Sequence, residues 1–432
     1  MYDDLVEFLQ ESVTPFHAAA TAESWLRAAG FTRLEEADYW NLEPGKGYYT
    51  TRNGSSVVAW RVPQHAIGGW RIVASHSDSP SWKIKADTVE NDGCRRLSVE
   101  GYGGMIMSTW LDRPLTVGGR ALVKTEDGIE SRLVYLDRDL LVIPSLAIHF
   151  QRDINKGHTF NPQVDMQPLW GPAGSRTLTD LVAESLGVEA ADILDSDLQL
   201  VTRQAPTQIG PDGEFFMAPR IDDLECAATT LLGFLDASGE TDSACAPVWA
   251  MFDNEEVGSE TKQGAASTLL ADTLSRVNAA LGFGPEEYVR ALSASMLVSC
   301  DNAHAQHPAH PELADSLHAP QMNSGIVVKE AANQHYCTDA FSRAAFTAVL
   351  DDAEIPHQAF ANRSDKAGGS TLGNISNMQV SVHGVDVGCA QLSMHSCMET
   401  AGARDVDLAI EALTAFYDTN VRIDGADSIE LG

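Results

Sequence analysis

The sequence has few basic residues. It contains 29 lysines and arginines against 61 aspartates and glutamates, which gives a formal net charge of −32 at pH 7. A surface so acidic repels the phosphates of nucleic acids and the head groups of anionic membranes, so neither is expected as a partner. Any acidic substrate would need a local positive centre that works against the field of the whole protein.

Paired cysteines and long apolar runs are also lacking. The seven cysteines are odd in number and scattered, and no two are spaced as C-x-x-C. This argues against a disulfide scaffold or a cysteine-type zinc site and indicates a reducing compartment. No apolar run reaches the length of about 18 residues that predicts a transmembrane helix. The acidic start, Met1-Tyr2-Asp3-Asp4, does not resemble a secretory signal, so we expect a cytoplasmic protein.

What is present is a pattern of helices and strands typical of an α/β protein. The 432 residues are enough for two domains. Helices are predicted on both sides of Thr14-Pro15, ending at Gly30, and again at 224–235 and 406–417. Strands are predicted by short apolar runs at 56–61, 70–75, 248–252, 296–300, 379–382 and 385–389.

Between these segments the pattern is β-rich. Alternating stretches from about residue 89 to 218 are separated by Gly118-Gly119 and Asp127-Gly128, which are hairpin-turn signals. One helix is expected at 179–186, ended by Gly187. We therefore predict a discontinuous catalytic domain, residues 1–88 and 219–432, that carries an inserted β-rich domain, residues 89–218.

An acidic turn follows the strand predicted at 248–252. Its sequence, Asp253-Asn254-Glu255-Glu256, places two carboxylates side by side where a strand ends, and open α/β sheets bind their ligands at that edge. Adjacent like charges disfavour each other unless something positive holds them. A metal ion would do so, with one glutamate as ligand and its neighbour handling protons. A solvated acidic turn is the alternative.

Other predicted element ends carry similar groups. His76 and Asp301 follow strands, Asp222 starts a helix, and His395 follows a further apolar stretch. Each has an ordinary alternative, a core histidine or a helix cap. Together with the glutamate turn they form a set of two imidazoles and three carboxylates without cysteine, which suits zinc, manganese or cobalt in a catalytic site. Five ligands are enough for two metals if one carboxylate bridges them.

Asp78 lies two residues after His76. A carboxylate there can accept the second ring N–H of a metal-binding histidine and so set its tautomer. Solvation of the turn before Pro80 is the alternative.

These motifs resemble, in order, those of the aspartyl aminopeptidase family. The resemblance covers nearly the whole chain and rests on the segments 76–80, 146–155, 220–223, 253–259, 299–305, 325–329 and 394–396. It implies a dinuclear zinc aminopeptidase with a doubly wound catalytic domain built on a central mixed sheet, an inserted β-rich dimerisation domain, and homodimers assembled into a tetrahedral homododecamer. The segment Lys366-Ala367-Gly368-Gly369 departs from the usual family loop.

The resemblance also implies residue roles. His76 and Asp301 would hold one metal, Glu256 and His395 the other, and Asp222 would bridge them. Glu255 would be the general base, with Asp78 and His149 also catalytic. The substrate contacts that it implies are His149, Glu255, Asp301, His304, Lys329 and Tyr336. His149 lies in the family segment that reaches into a neighbouring subunit's site.

The resemblance and the charge together favour peptides with N-terminal Asp or Glu. A related dinuclear aminopeptidase of neutral, leucyl-type specificity is the first alternative. The second is a non-catalytic, metal-stabilised assembly protein, which would have no use for a spare glutamate beside a ligand. A further metal site in the series His304, His307, His310 and His318 is disfavoured, because the loop supplies no fixed geometry.

Overall fold

The computed structural model describes residues 1–64, 67–91, 93–238, 245–366, 368–424 and 428–431. Ten α-helices lie within this part of the chain: α1 Tyr2–Glu11, α2 Pro15–Ala28, α3 Pro162–Asp165, α4 Leu178–Leu186, α5 Ile221–Asp236, α6 Leu269–Ala280, α7 Pro285–Ser293, α8 Ala340–Asp352, α9 Leu372–Ser376 and α10 Ala403–Asp418. None of these helices is long and apolar enough to cross a membrane.

The described strands are β1 Thr32–Arg33, β2 Gly47–Arg52, β3 Ser56–Arg61, β4 Gly69–His76, β5 Ser81–Asn91, β6 Cys94–Tyr102, β7 Leu115–Thr125, β8 Gly128–Tyr135, β9 Leu169–Pro172, β10 Ile193–Thr202, β11 Thr207–Ile209, β12 Phe215–Ala218, β13 Cys245–Phe252, β14 Met296–Cys300, β15 Ala303–His304, β16 Ile326–Glu330, β17 His357–Ala361, β18 His383–Gly388, β19 Ala390–Leu392, β20 Glu399–Gly402, β21 Val421–Asp424 and β22 Ser428–Leu431.

Nine of these strands form one mixed sheet, in the order β1-β2-β3-β13-β4-β14-β18-β16-β17. Its centre consists of β13, β4, β14 and β18, which run parallel to one another. On either side of this centre, β3 and β16 are antiparallel to their inner neighbours. The predicted central mixed sheet is confirmed, and its four central strands all end at the same edge.

Helices cover both faces of this sheet. Successive residues of a strand point to opposite faces, so β4 directs Val73 to one core and Ile72 to the other. The first core is formed with α1, α2, α5, α8 and α10, and the second with α6, α7 and α9. The doubly wound arrangement is confirmed.

The β-rich region forms a second sheet of six described strands, in the order β8-β7-β10-β5-β6-β9. Its apolar face buries Trp82 and Trp110, and α4 packs against it through Leu178, Leu181 and Val182. This sheet begins at Ser81, whereas β11 and β12 join β20, β19 and β15 in a third sheet. The domain boundaries at residues 89 and 218 remain a prediction.

The turn predicted at Gly118-Gly119 is wrong. Both residues lie inside β7 and pair with β10. A Cβ atom on Gly119 would lie 2.0 Å from the carbonyl oxygen of Asp197, and its φ is +145°. Glycine therefore allows the close approach of β10 rather than a reversal of the chain. A hairpin turn is confirmed beside Asp127-Gly128, but its two loop residues are Glu126 and Asp127, and Gly128 pairs with Thr125 as the first residue of β8.

The strand predicted at 379–382 is also wrong. The N–H groups of Gln379 and Val380 donate to the carbonyl oxygen of Ser376, so this stretch continues from α9 as a turn, and β18 begins at His383. The helices predicted from sequence are confirmed as α1, α2, α4, α5 and α10. A capping box of Thr177 and Asp180 starts α4, and Gly187 in the left-handed conformation ends it.

Candidate metal centre

The common edge of the central strands brings the predicted metal ligands together. His76 is the last residue of β4, Asp301 follows β14, and the turn 255–256 follows β13. Asp222 lies at the start of α5, before its regular turns begin, and His395 lies between β19 and β20. Five segments far apart in sequence therefore converge at the position where open α/β sheets bind ligands.

The potential ligand atoms form two groups that share Asp222. The first group contains His76, Asp222, Asp223 and Asp301, and the second contains Asp222, Glu256 and His395. The Oδ1 atom of Asp222 lies 3.4 Å from Nε2 of His76, and its Oδ2 atom lies 3.3 Å from Nε2 of His395. The two oxygens of one carboxylate thus face two different groups.

Several carboxylate oxygens at this centre are buried without a partner. Within the described structure, Oδ1 of Asp222, Oδ1 of Asp223 and Oε1 of Glu256 accept no hydrogen bond. A buried acceptor left unpaired costs about 1–3 kcal/mol, and a cation would remove that cost. The nitrogen-to-oxygen separations of 3.3–3.4 Å match two ligands that each lie about 2 Å from one zinc ion. The residues therefore fit a metal.

Burial and like charges make this centre hard to ionise without a cation. Burial, with a further contribution from Asp222, raises the pKa of Asp301 to about 8. Burial also raises the pKa of Glu255 to about 7, and Asp78 adds to the increase. Although burial opposes it, the carboxylates of Asp223 and Asp222 raise the pKa of His76. A bound cation would favour the ionised carboxylates and the neutral imidazole.

Asp78 connects His76 to the glutamate turn. Nδ1 of His76 lies 3.1 Å from the carbonyl oxygen of Asp78 and 3.4 Å from its Oδ1. The Asp78 carboxylate accepts the N–H groups of Glu255, at 3.0 Å, and Glu256, at 3.1 Å. The ring contact is therefore made mainly by the main-chain oxygen, while the carboxylate holds the backbone of the turn.

The ring of His395 is also held by a main-chain oxygen, which comes from the loop after β6 of the six-stranded sheet. Its Nδ1 lies 2.7 Å from the carbonyl oxygen of Gly104. A carbonyl oxygen only accepts, so Nδ1 carries the hydrogen and Nε2 is left with its lone pair toward Asp222 and Glu256. That is the tautomer that a metal ligand requires.

Two residues at the centre were not predicted as parts of the site. Asp223 belongs to the first ligand group, and its Oδ2 accepts the main-chain N–H of His76 at 3.0 Å. Glu399 is buried and accepts the N–H groups of His395, at 2.6 Å, and Asp222, at 3.0 Å. Asp223 stands beside a predicted ligand, which is a signal that could have been used. No pattern in the sequence marks Glu399.

A cavity of about 220 Å³ opens beside the metal centre, and its lining includes Glu255, Asp301, His304, Lys329 and Tyr336. Lys329 is only 2% exposed, and its Nζ donates to the carbonyl oxygens of Asp301, at 2.7 Å, and Asn302, at 3.3 Å. An ammonium group has three N–H donors, so one is left after these two bonds, and Nζ also lies 3.8 Å from Oδ2 of Asp301. Nζ also lies 5.2 Å from the ring centroid of Tyr336.

Three predicted site residues, His76, Asp78 and His149, do not line this cavity. His76 and Asp78 lie at the metal centre beside it, whereas His149 does not. It lies in an exposed loop beside three exposed apolar side chains, those of Leu146, Ile148 and Phe150. The disfavoured metal site at His307, His310 and His318 forms none of the ligand groups found among the described residues. In the loop that departs from the family pattern, Gly369 lines the cavity, while Ala367 lies outside the described residues.

Imidazoles and carboxylates gathered around a shared buried aspartate, with a glutamate beside them that belongs to neither ligand group, define a metal-dependent hydrolase. The aminopeptidase I zinc metalloprotease (M18) family model matches residues 8–417, and the chain belongs to this family. The family prediction is confirmed, since M18 includes aspartyl aminopeptidase. The protein is a metallo-aminopeptidase, which hydrolyses peptide bonds, and not a non-catalytic assembly protein.

Similar proteins support this assignment over the whole chain. The probable M18 family aminopeptidase 2 of Clostridium novyi is 39% identical over 427 residues, which cover 96% of this chain and 98% of that protein. A chain of the cryo-EM structure of the Ape4 and Nbr1 complex is 32% identical, with a TM-score of 0.92 over 96% of this chain and 85% of that one. The S. cerevesiae mApe1 dodecamer is 27% identical, with a TM-score of 0.84 over 96% of both chains.

Proposed function

We propose that this metallo-aminopeptidase uses two zinc ions and prefers peptides with an N-terminal Asp or Glu. The observation that carries the two-ion proposal is the pair of ligand groups that share Asp222. His76 and Asp301 would hold one ion, Glu256 and His395 would hold the other, and Asp222 would be shared by both. Manganese or cobalt would suit the same donors.

The glutamate turn supplies the acid–base chemistry. Bound zinc would polarise the scissile carbonyl and lower the pKa of a water molecule. Glu255 belongs to neither ligand group and lines the cavity. Its carboxylate takes the proton of the attacking water and delivers it to the leaving amine. Asp78 holds the turn through its N–H groups and keeps this base in position.

Other cavity residues bind the substrate. A carboxylate such as Glu255 or Asp301 can hold the free amino group, which restricts cleavage to the N-terminal residue. His304 lines the cavity and is placed to donate a hydrogen bond to the developing oxyanion, a contribution of about 3 kcal/mol for a well-placed donor. His149 would be a second such donor.

The acidic preference rests on Lys329 and Tyr336. Lys329 supplies a positive charge in a cavity of a protein whose net charge is −32, and an acidic side chain needs such a centre to enter. Two of its N–H donors are already bonded to main-chain oxygens. That observation favours the alternative, a neutral specificity in which Lys329 only stabilises the Asp301 segment. A panel of aminoacyl substrates separates the two.

We further propose that homodimers form through the β-rich insertion and assemble into a tetrahedral homododecamer. The exposed side chains of Leu146, Ile148 and Phe150 offer apolar surface for a second copy to bury. His149 between them would then enter the neighbouring subunit's cavity. A cytoplasmic location is supported by the free thiols of Cys226, Cys300, Cys337, Cys389 and Cys397, which persist in a reducing compartment.

Metal analysis combined with a panel of aminoacyl substrates tests the proposal. We expect two zinc ions per subunit in the intact assembly, and a kcat/KM that is higher for N-terminal Asp and Glu than for Leu. One ion per subunit in the fully active enzyme would contradict the dinuclear centre. Equal kcat/KM for Asp and Leu would favour the neutral alternative without affecting the two-ion proposal.

A further inference from the structure

A second cavity, of about 400 Å³, lies behind the turn that carries Glu255. It shares no lining residue with the cavity at the metal centre. Its walls come from the N-terminus of α2, from strands β5, β7 and β10 of the six-stranded sheet, and from the loops that contain Asn53, Asn254 and Lys262. It therefore lies where the six-stranded sheet meets the central sheet.

The walls of this second cavity are basic, in a protein that is strongly acidic. Lys83, Arg120 and Lys262 line it, against two acidic residues, Asp197 and Asp253. Arg120 donates to Asp197 at 2.9 Å, and Lys83 lies 3.7 Å from the same carboxylate. Burial, with a contribution from Asp78, raises the pKa of Asp253 to about 7. Three cations thus face two carboxyl groups, and burial disfavours the ionisation of one of them.

Lys262 retains unused binding capacity, whereas the guanidinium of Arg120 is engaged by Asp197 and by the main-chain and side-chain oxygens of Asn53. Nζ of Lys262 contacts only amide oxygens within the described structure, those of Asn53 at 2.5 Å and Gln263 at 3.4 Å. Desolvation first, and the neighbouring cations Arg120 and Arg52 next, lower the pKa of Lys262. The N-terminus of the 14-residue helix α2 adds partial positive charge on the same wall. An anion placed here would relieve this crowding of positive charge.

We propose that the second cavity binds a small phosphate monoester and acts as an effector site of the peptidase. A phosphate dianion offers the oxygens that two lysines and a helix N-terminus recognise together, and the charge of Arg120 adds to the attraction. The volume of about 400 Å³ exceeds that of a lone phosphate and leaves room for an organic group. Pro15, Phe16 and Leu198 provide apolar surface for that group.

The wall of this cavity also holds the catalytic turn. Asn254 Nδ2 donates to the Tyr102 hydroxyl at 2.8 Å, and that hydroxyl donates to Oδ2 of Asp78 at 2.6 Å. The Asp78 carboxylate in turn accepts the N–H groups of Glu255 and Glu256. Since Tyr102 and Asn254 line the cavity, a ligand that contacts them acts directly on the hydrogen bonds that position the turn.

Calorimetric titration of the intact, zinc-loaded protein tests the binding site. The probes are glucose 6-phosphate and adenosine 5′-monophosphate, with inorganic phosphate as the comparison. We expect saturable binding of one ester per subunit. In the double variant Lys83→Met/Lys262→Met the Kd should be higher by about tenfold or more, because charge-assisted contacts are lost. Lys124→Met, which changes an exposed lysine of β7 outside the cavity, should bind as the wild type does.

Three results would overturn the binding site: unchanged affinity in the double variant, loss of binding when the metals are removed by chelation, or inorganic phosphate binding as tightly as both esters.

The effector role has its own test. Saturating ester should change kcat/KM for an aminoacyl substrate at least twofold in the wild type and in Lys124→Met, but not in the double variant. Unchanged kcat/KM with the ester bound would overturn that role, and the binding result does not depend on the roles proposed for the metal-centre residues.

Discussion

Glu255 and Glu256 are sequence neighbours with different surroundings. Glu256 Oε1 lies 3.4 Å from Nε2 of His395 and has no hydrogen-bond partner in the described structure, whereas Glu255 belongs to neither ligand group. We expect Glu255→Gln to retain both metals and to lose turnover by about 10²–10⁴-fold, the usual contribution of a general base. Metal content and kcat, measured on the same preparation, check this prediction.

Glu256→Gln and Asp222→Ala are the matched controls, and both should lose metal because they remove proposed ligands. If Glu255→Gln lost metal while Glu256→Gln kept it, the two roles would be reversed.

Lys329 either binds the substrate's acidic side chain or only secures the Asp301 segment. Its Nζ has one N–H donor left after bonding the carbonyl oxygens of Asp301 and Asn302. We expect Lys329→Met to abolish the Asp-over-Leu ratio of kcat/KM, because the positive charge is lost. Lys366→Met, at an exposed lysine of an adjoining cavity, should keep the ratio. A ratio unchanged in Lys329→Met would exclude contact with the substrate side chain.

Glu399 is a positioning residue, because it does not line the cavity at the metal centre. Its two oxygens accept the main-chain N–H groups of Asp222 and His395. Asp222 is shared by both ligand groups, and His395 belongs to the second. In Glu399→Gln one of these N–H groups faces an NH₂ donor instead. We expect zinc affinity to fall by about 10–100-fold, the usual effect of losing a residue that orients ligands. Competition with a chelator measures it, and wild-type zinc affinity in this variant would refute the role.

At the scale of elements, the ends of the central strands must approach closely to place the ligands. A Cβ atom on Gly388, at the end of β18, would lie 1.8 Å from the carbonyl oxygen of Asp301. That same oxygen accepts the hydrogen bond from Lys329. We expect Gly388→Ala to move the Asp301 segment, to lower the free energy of unfolding by about 1–3 kcal/mol, and to weaken metal binding.

Gly369→Ala is the control for this substitution, because Gly369 also lies near the site but a Cβ atom there meets nothing within 4 Å. Denaturant titration and metal content of both variants check the prediction. Wild-type behaviour of Gly388→Ala would show that the end of β18 can shift without disturbing Asp301.

At the scale of the whole molecule, the single chain leaves His149 exposed and outside the metal-centre cavity. If His149 completes a neighbouring subunit's site, activity requires assembly. Inactive Glu255→Gln subunits mixed with inactive His149→Ala subunits should then recover part of the wild-type kcat, because some hybrid interfaces pair an intact Glu255 with an intact His149. Activity after subunit exchange, with exchange confirmed by mass measurement, is the readout.

Absence of recovery despite confirmed exchange would place His149 in its own subunit's site or outside catalysis. A mixture of His149→Ala with wild-type subunits provides the reference for dilution alone.

The sequence by itself determined the class of the centre. Ligand-type residues at strand and helix ends are a local pattern, and parallel strands that end at one edge bring such residues together whatever the loops do. The same local reasoning failed at Gly118-Gly119, where the glycines serve the neighbouring strand β10 and not a turn.

Only the tertiary structure decided how the ligands are held. Glu399 bonds Asp222 across 177 residues of chain, and Lys329 bonds the carbonyl of Asp301 across 28. The basic cavity behind the glutamate turn draws Lys83 and Lys262 from segments that are 179 residues apart. Such contacts depend on where distant elements pack, because a hydrogen bond acts over about 3 Å in space and is not recorded by spacing along the chain.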